Sequence, residues 1–471
     1  MAMNKINNGF YKFSIFFILF LALYQPIIWK LRPTFYIPGL AVLLIIFSKL
    51  KMGKLENLWA TKSGKLIQGI ILIGLYLCIT ILRVDEDKSV LIQLVHIIFA
   101  ALLVYGIMNY RLAVKISTND FENILINTGL AQSFVCILMC ICLPLRGVNW
   151  SYLMKTLSNP FERQRFESID VYRFYGIAGP NQYLSSIGIV SALLFLVAVF
   201  KFINDKRDVL MFVKAALLLI PALLDSRTGV LCAAFGVTVL LVFCNYKKVI
   251  SLSKIVALWG GIIATILLGS MIVQNSFFHK FYEKQVSYGV HENSAVDVPS
   301  EQMENSKETG YSMDHWSSIV IDAADSLATG NTSSKTYEWY GGLLPSNWKI
   351  PSGYSLWIGT GKVPDEHVQP GEVIGRTDAG YARLICVGGI ILVFLSIMVL
   401  IFVERCGKSS NGYPLSVAVV MCFLLAEFKG NVYLQIPVIF LMVLIADMFG
   451  DKPLNYKLKK HKLPVRRKTI E

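Results

Sequence analysis

Long apolar runs, each closed by a short polar cluster, set the pattern of this chain. A helix needs roughly 20 apolar residues to cross the hydrocarbon core of a bilayer. Twelve runs approach that length, at 13–29, 34–48, 66–82, 89–109, 125–145, 182–200, 209–225, 229–244, 255–274, 381–403, 414–428 and 431–449. They predict an all-α polytopic membrane protein of about 12 transmembrane helices. The first run is read as a span and not as a cleavable signal, because it lacks a small-residue cleavage site and a second run follows at once.

Two polar stretches interrupt the pattern. The first, 146–181, carries Arg146, Lys155, Arg163, Arg165 and Arg173 among tyrosines, phenylalanines and Trp150. The second, 275–380, begins acidic and polar over 291–308. It continues with Trp316, Ile319, Val320, Ala323, Ala324 and Leu327, a helical spacing with one apolar face. The stretch 337–362 then concentrates Gly, Pro and aromatic residues. The expected organisation is a bundle of nine helices over 1–274 that includes the Arg-rich outer loop 146–181. A large extracytoplasmic loop with an amphipathic helix follows over 275–380, then three helices over 381–449 and a basic tail over 450–471.

Composition strengthens the membrane reading: of 471 residues 55% are hydrophobic and 16% charged, with a mean hydropathy of +0.55. A soluble domain carries about 25% charged residues. The net charge of +14 is concentrated in alternate loops and in the tail, from Lys49, Lys51 and Lys54 to Arg466, Arg467 and Lys468. The positive-inside rule makes that side cytoplasmic and puts both termini there. The basic tail reads as an anchor on anionic lipid, and no nucleic-acid-binding fold accompanies it. Nine cysteines fall in spans or on the cytoplasmic side, so no disulfide is expected in the outer loops. Six scattered histidines offer no metal-ligand spacing, and no P-loop, dinucleotide fingerprint or serine elbow occurs. No metal and no cofactor are expected.

Arginines at the outer ends of spans demand a reason. Arg173 precedes span six in "VYRFYGIAGPNQYL", Arg227 sits in "LLDSRTGVL", and Arg376, Asp378 and Arg383 surround the start of span ten. A charge at a span centre costs about 2.5–3.5 kcal/mol on insertion scales, less near the interface. A guanidinium stays charged in a poorly hydrated site and offers a planar fork to phosphate. Several on one outer face suggest a lipid pyrophosphate as ligand.

These motifs carry a resemblance. The order "RFYGIAGPNQYL", "SRTG" at 226–229, one large outer loop, and "IGTGK…RTDAGYARLICVGGI" over 358–390 resembles the superfamily of O-antigen polymerases (Wzy-type) and O-antigen ligases, integral membrane glycosyltransferases. The resemblance implies transfer of a glycan from one undecaprenyl pyrophosphate carrier to an acceptor outside the bacterial cytoplasmic membrane, without nucleotide sugar or metal. By position, Arg173 and Arg227 match the arginines that hold pyrophosphate. Arg376, Arg383, Arg165, Arg163 and Tyr381 join them as candidate substrate contacts. The ligase branch has a functional histidine near the start of the span after the large loop, where this chain reads "RTDAGYARL"; that departure favours polymerase over ligase. Candidates to activate the acceptor hydroxyl are Asp378, His367 and Glu366, in that order. Expected partners are the undecaprenyl-pyrophosphate-linked donor and acceptor oligosaccharides, membrane lipid and a chain-length regulator protein. The competing reading, a flippase of lipid-linked saccharide, calls for charges along a central path, and apart from Lys214 and His96 the charges gather at one face.

Overall fold

The computed structural model of the chain describes residues 2–26, 33–56, 61–83, 89–142, 184–204, 209–246, 259, 350–361, 380–408, 412–429 and 435–450. Among them every regular element is an α-helix and no strand occurs. In chain order the helices are α1 (Ala2–Tyr24), α2 (Pro33–Met52), α3 (Lys62–Leu82), α4 (Ser89–Ala113), α5 (Thr118–Cys142), α6 (Leu184–Asn204) and α7 (Val209–Leu218). They continue as α8 (Ile220–Asp225), α9 (Arg227–Tyr246), α10 (Tyr354–Ile358), α11 (Gly380–Lys408), α12 (Tyr413–Lys429) and α13 (Ile436–Gly450). The predicted run 255–274, the loop 146–181, the helix at 311–330 and the tail beyond Gly450 lie outside the described residues, Trp259 excepted.

Among the described residues six helical segments are long and apolar enough to cross a membrane: those within α2, α3, α5, α6, α9 and α11. Apolar stretches of α1, α4, α7–α8, α12 and α13 are shorter. The bundle also turns large apolar side chains outward, among them Phe13, Leu43, Ile79, Phe134, Val242 and Phe394. An apolar exterior of this extent is what lipid contact requires. The chain is a multi-pass membrane protein. At its centre stand α6 and α13, enclosed almost along their whole lengths. Around them α2 packs on α4, α3 on α4 and α11, α9 on α6 and α12, and α11 on α12.

One predicted run is divided. The stretch 209–225 forms two helices because Pro221 has no N–H and its ring excludes the carbonyl four residues back. The Leu219 amide closes a tighter turn on the Ala216 carbonyl at 3.2 Å, and α8 starts with Pro221 in its first turn.

The helix ends sort into two sets. At one end Lys12 of α1 bonds Asp120 of α5 at 2.8 Å, and Arg111 of α4 lies 4.0 Å from Asp447 of α13. Lys201 of α6 donates to Asn119 and Asn123 of α5 at 2.5 and 2.8 Å, with Glu122 at 3.6 Å. Asn109 of α4 accepts from the Glu56 amide at 2.7 Å, fixing the chain beyond α2. This is the lysine-bearing end predicted from loop charge, and its ion pairs join alternate helix termini as a serpentine chain demands. Lys201 and Glu122 are both buried, where breaking a pair costs more than an isosteric apolar replacement of both.

Lys201→Met is expected to destabilise the bundle by about 3–5 kcal/mol by removing the cation beside the buried Glu122. Adding Glu122→Gln is expected to recover much of that loss. Thermal unfolding of the two variants in matched detergent checks the order; a double variant less stable than the single would refute the pairing.

Candidate functional site

The end opposite the lysines carries two of the sequence motifs. The "SRTG" motif is a helix junction. Ser226 closes α8 by donating its amide to the Ala222 carbonyl at 3.0 Å. Its backbone is extended there (φ −146°, ψ 106°), and its hydroxyl accepts from the Gly229 amide at 3.0 Å. That is an N-cap for α9, and it makes Arg227 the first helical residue. Gly229 is the second fixed point: a Cβ there would stand 2.6 Å from the Gly188 backbone of α6. The α6–α9 crossing therefore rests on two glycines in near backbone contact. A short step away, the Ser186 hydroxyl donates to Gln435 Oε1 at 2.9 Å, joining α6 to the start of α13.

The second motif pair, "IGTG" (358–361) and "CVGG" (386–389), is one structural unit. Helix α11 breaks at Gly389, whose φ of 67° and ψ of −169° are open to glycine and strained for other residues. The three carbonyls preceding the break each receive a donor from outside the helix. Cys386 accepts from the Thr360 amide at 2.7 Å and the Thr360 hydroxyl at 2.8 Å, and Val387 accepts from the Gly361 amide at 3.1 Å. The Tyr76 hydroxyl of α3 reaches the Gly388 carbonyl at 2.7 Å. Backbones approach so closely that a Cβ at Gly359 would collide with the Val387 carbonyl, and one at Gly389 with the Trp357 carbonyl. Arg83, at the end of α3, donates to the Ile358 and Gly359 carbonyls at 3.2 and 3.4 Å. Segment 350–361 is thus pinned into the bundle, with Tyr354 and Trp357 of α10 left exposed.

The predicted site residues divide by position. Arg227 starts α9, and Tyr381 and Arg383 stand on the first turn of α11, all at the end opposite the lysines. Arg383 is half-buried; the Tyr381 hydroxyl donates to the Leu424 carbonyl of α12 at 3.1 Å, a helix-to-helix tie. Arg163, Arg165, Arg173, Glu366, His367, Arg376 and Asp378 lie outside the described residues. One residue was missed by the sequence reading. Glu427 of α12 is fully buried, three positions beyond Leu424, whose carbonyl takes the Tyr381 hydroxyl. Its signal was a single acid inside the apolar run "VVMCFLLAEF". Among the described residues no group of three or more His, Cys, Asp and Glu side chains could hold a metal ion.

Compared with protein-family models, curated proteins and solved structures, the chain matches none.

Gly389→Ala and Gly359→Ala are each expected to undock segment 350–361, because both collisions are with backbone. Gly353 also has a positive φ, 60°, but open space around it, so Gly353→Ala should cost only local strain of about 1 kcal/mol. Maleimide labelling of a cysteine placed at Thr360 reads the difference: fast in the first two backgrounds, slow in the third.

Proposed function

We propose that the chain is a polysaccharide polymerase of the bacterial cytoplasmic membrane. It joins undecaprenyl-pyrophosphate-linked oligosaccharide repeat units into O-antigen, capsular or exopolysaccharide at the outer face. In this reading about twelve helices span the membrane, both termini are cytoplasmic, and the lysine-bearing end faces the cytoplasm. The observation that carries it is that the two described motifs of the family it resembles, the Ser226–Gly229 junction and the docked 358–361 and 386–389 pair, stand at one end of the bundle, opposite the lysines. The capped junction at Ser226 gives Arg227 a fixed origin at that end, and Tyr381 and Arg383 share it.

The chemistry is a displacement at the anomeric carbon of the donor glycan. An acceptor hydroxyl attacks, the bond to pyrophosphate breaks with its electron pair, and the hydroxyl proton passes to a base. Asp378, His367 and Glu366 are the candidates for that base. Arg173 and Arg227 stabilise the charge growing on the leaving pyrophosphate, a role in which one preorganised donor is worth about 10²–10³ in rate. A chain-length regulator and membrane lipid complete the assembly.

Deletion of the protein is expected to leave single repeat units on the lipid carrier. Unattached full-length polymer would instead point to ligation, and repeats trapped inside to flipping. At matched protein levels, Arg227→Lys is expected to lose most polymer output, since lysine keeps the charge and loses the bidentate fork. Polymer ladders of wild-type length from that variant would remove Arg227 from the site.

A further inference from the structure

The segment docked at the helix break carries an exposed aromatic face. Tyr354 and Trp357, three positions apart and so on one side of α10, are 76% and 57% exposed. Their depth follows from the contacts of the helices that hold them. Helices α3 and α11 run antiparallel: a Cβ on Gly69 would meet Val399 at 3.2 Å, and farther along α3 Tyr76 reaches the Gly388 carbonyl at 2.7 Å. From Lys65 to Arg83, at 1.5 Å per residue, α3 covers about 27 Å, close to the roughly 30 Å of bilayer hydrocarbon. Arg83 therefore stands at the edge of that layer, and its guanidinium donates to the Ile358 and Gly359 carbonyls at 3.2 and 3.4 Å. The C-terminal end of α10 lies near the same edge. Apolar side chains turn outward beside it on both supporting helices: Ile79 and Leu82 of α3 within four residues of Arg83, and Ile390 and Ile391 of α11 directly after Gly389.

We infer that this face lies in the headgroup and glycerol layer of the bilayer at the arginine-bearing end, which makes 350–361 a membrane-docking element and not a stretch of water-exposed loop. The inference needs only that the chain crosses the membrane, and it stands apart from the proposed function. Tyr and Trp favour that layer because each joins an apolar ring to a polar group that bonds water or headgroups. The residues around them fit it too: 350–361 holds no charged side chain, and Ser352 and Gly353 are exposed. Hydrocarbon would reject those polar groups, whereas Gly359 and Gly361 are buried with their amides bonded to the Ser355 and Val387 carbonyls. A protein partner fits less well. A stable protein interface buries roughly 1,200–2,000 Å² in all, and α10 has five residues, little more than one turn. Lipid that already covers the neighbouring side chains of α3 and α11 reaches the aromatic pair with no further assembly.

The test uses the full chain in nanodiscs made with brominated phosphatidylcholine, since bromine quenches a tryptophan that it touches. The emission difference between wild type and Trp357→Phe isolates Trp357 among the eight tryptophans. That emission is expected to fall more with bromine near the glycerol end of the acyl chains than with bromine near their tips, and to change little with aqueous iodide. Quenching by iodide without quenching by lipid puts the face in water. Protection from both puts protein over it, either a second copy or another segment of the chain. Stronger quenching from the chain tips puts it in the hydrocarbon core. Each of these three results overturns the inference. Tyr354→Trp in the wild-type chain adds an independent reporter on the same face, read as the emission gained, so the test does not depend on Trp357→Phe folding. The same order of quenching is expected there, and a reversed order overturns the inference as well.

Discussion

A bundle in lipid must satisfy its own backbone, because no water is available to hydrogen-bond a stray carbonyl. The docking of segment 358–361 at the arginine-bearing end follows from how this chain meets that demand at Gly389. At the break, about 13 Å along the helix from Gly380 at 1.5 Å per residue, carbonyls 386 and 387 face segment 358–361 and carbonyl 388 faces Tyr76 of α3. Irregular backbone is tolerated at such depth only when enclosed by protein. Here Gly359 and Gly361 are buried, and Thr360, Gly361 and Tyr76 supply the donors. A segment that by sequence belongs to a loop is therefore part of the helical scaffold. It ties α3, through Tyr76 and Arg83, to α11.

The two ends of the bundle manage charge differently. At the lysine-bearing end opposite charges are matched pairwise, as with Lys12 and Asp120 or Lys201 and Glu122. The other end carries Arg83, Arg227, Arg383 and Lys429 against Asp225 and Glu427 among the described residues. Of these, Arg83 is spent on loop carbonyls. At the second end the starts of α6 and α9 are fixed in another way, by the Ser226 cap and the Gly188–Gly229 contact.

How much of this was legible follows from which forces act locally. The apolar runs are a one-dimensional property of the chain, so eleven of the twelve predicted spans coincide with described helices, and only Trp259 of the remaining run is described. Loop lysines were equally readable, and the contacts at that end agree with the alternation they imply. The split at Pro221 was visible in principle, since a missing N–H is a local fact, but an apolar run does not record it. The docking of 358–361 on 386–389 was not visible. Glycines 25 or more positions apart were recognised as motif members, and nothing local says that they serve to bring two backbones together. Glu427 was missed because a single acid scarcely alters a hydrophobic run; its weight comes from complete burial, which only packing decides.

The glycine motifs and the arginines consequently have different standing. Gly359, Gly361 and Gly389 have a positive φ, and Gly359 and Gly389 also stand against backbone, so they would be required whatever the protein does. The same holds for Gly188 and Gly229. Arg227 has no such account: the first position of a helix is where a cation is least favoured by the helix dipole, whose positive end lies there. A chain that needed only a charge at the interface would gain by putting arginine at a helix C-terminus. Placing it instead at the N-terminus of α9, beside amides that also attract negative charge, concentrates positive potential at one point. That placement is one the helix dipole disfavours, and it is the feature of this end that stability alone does not explain.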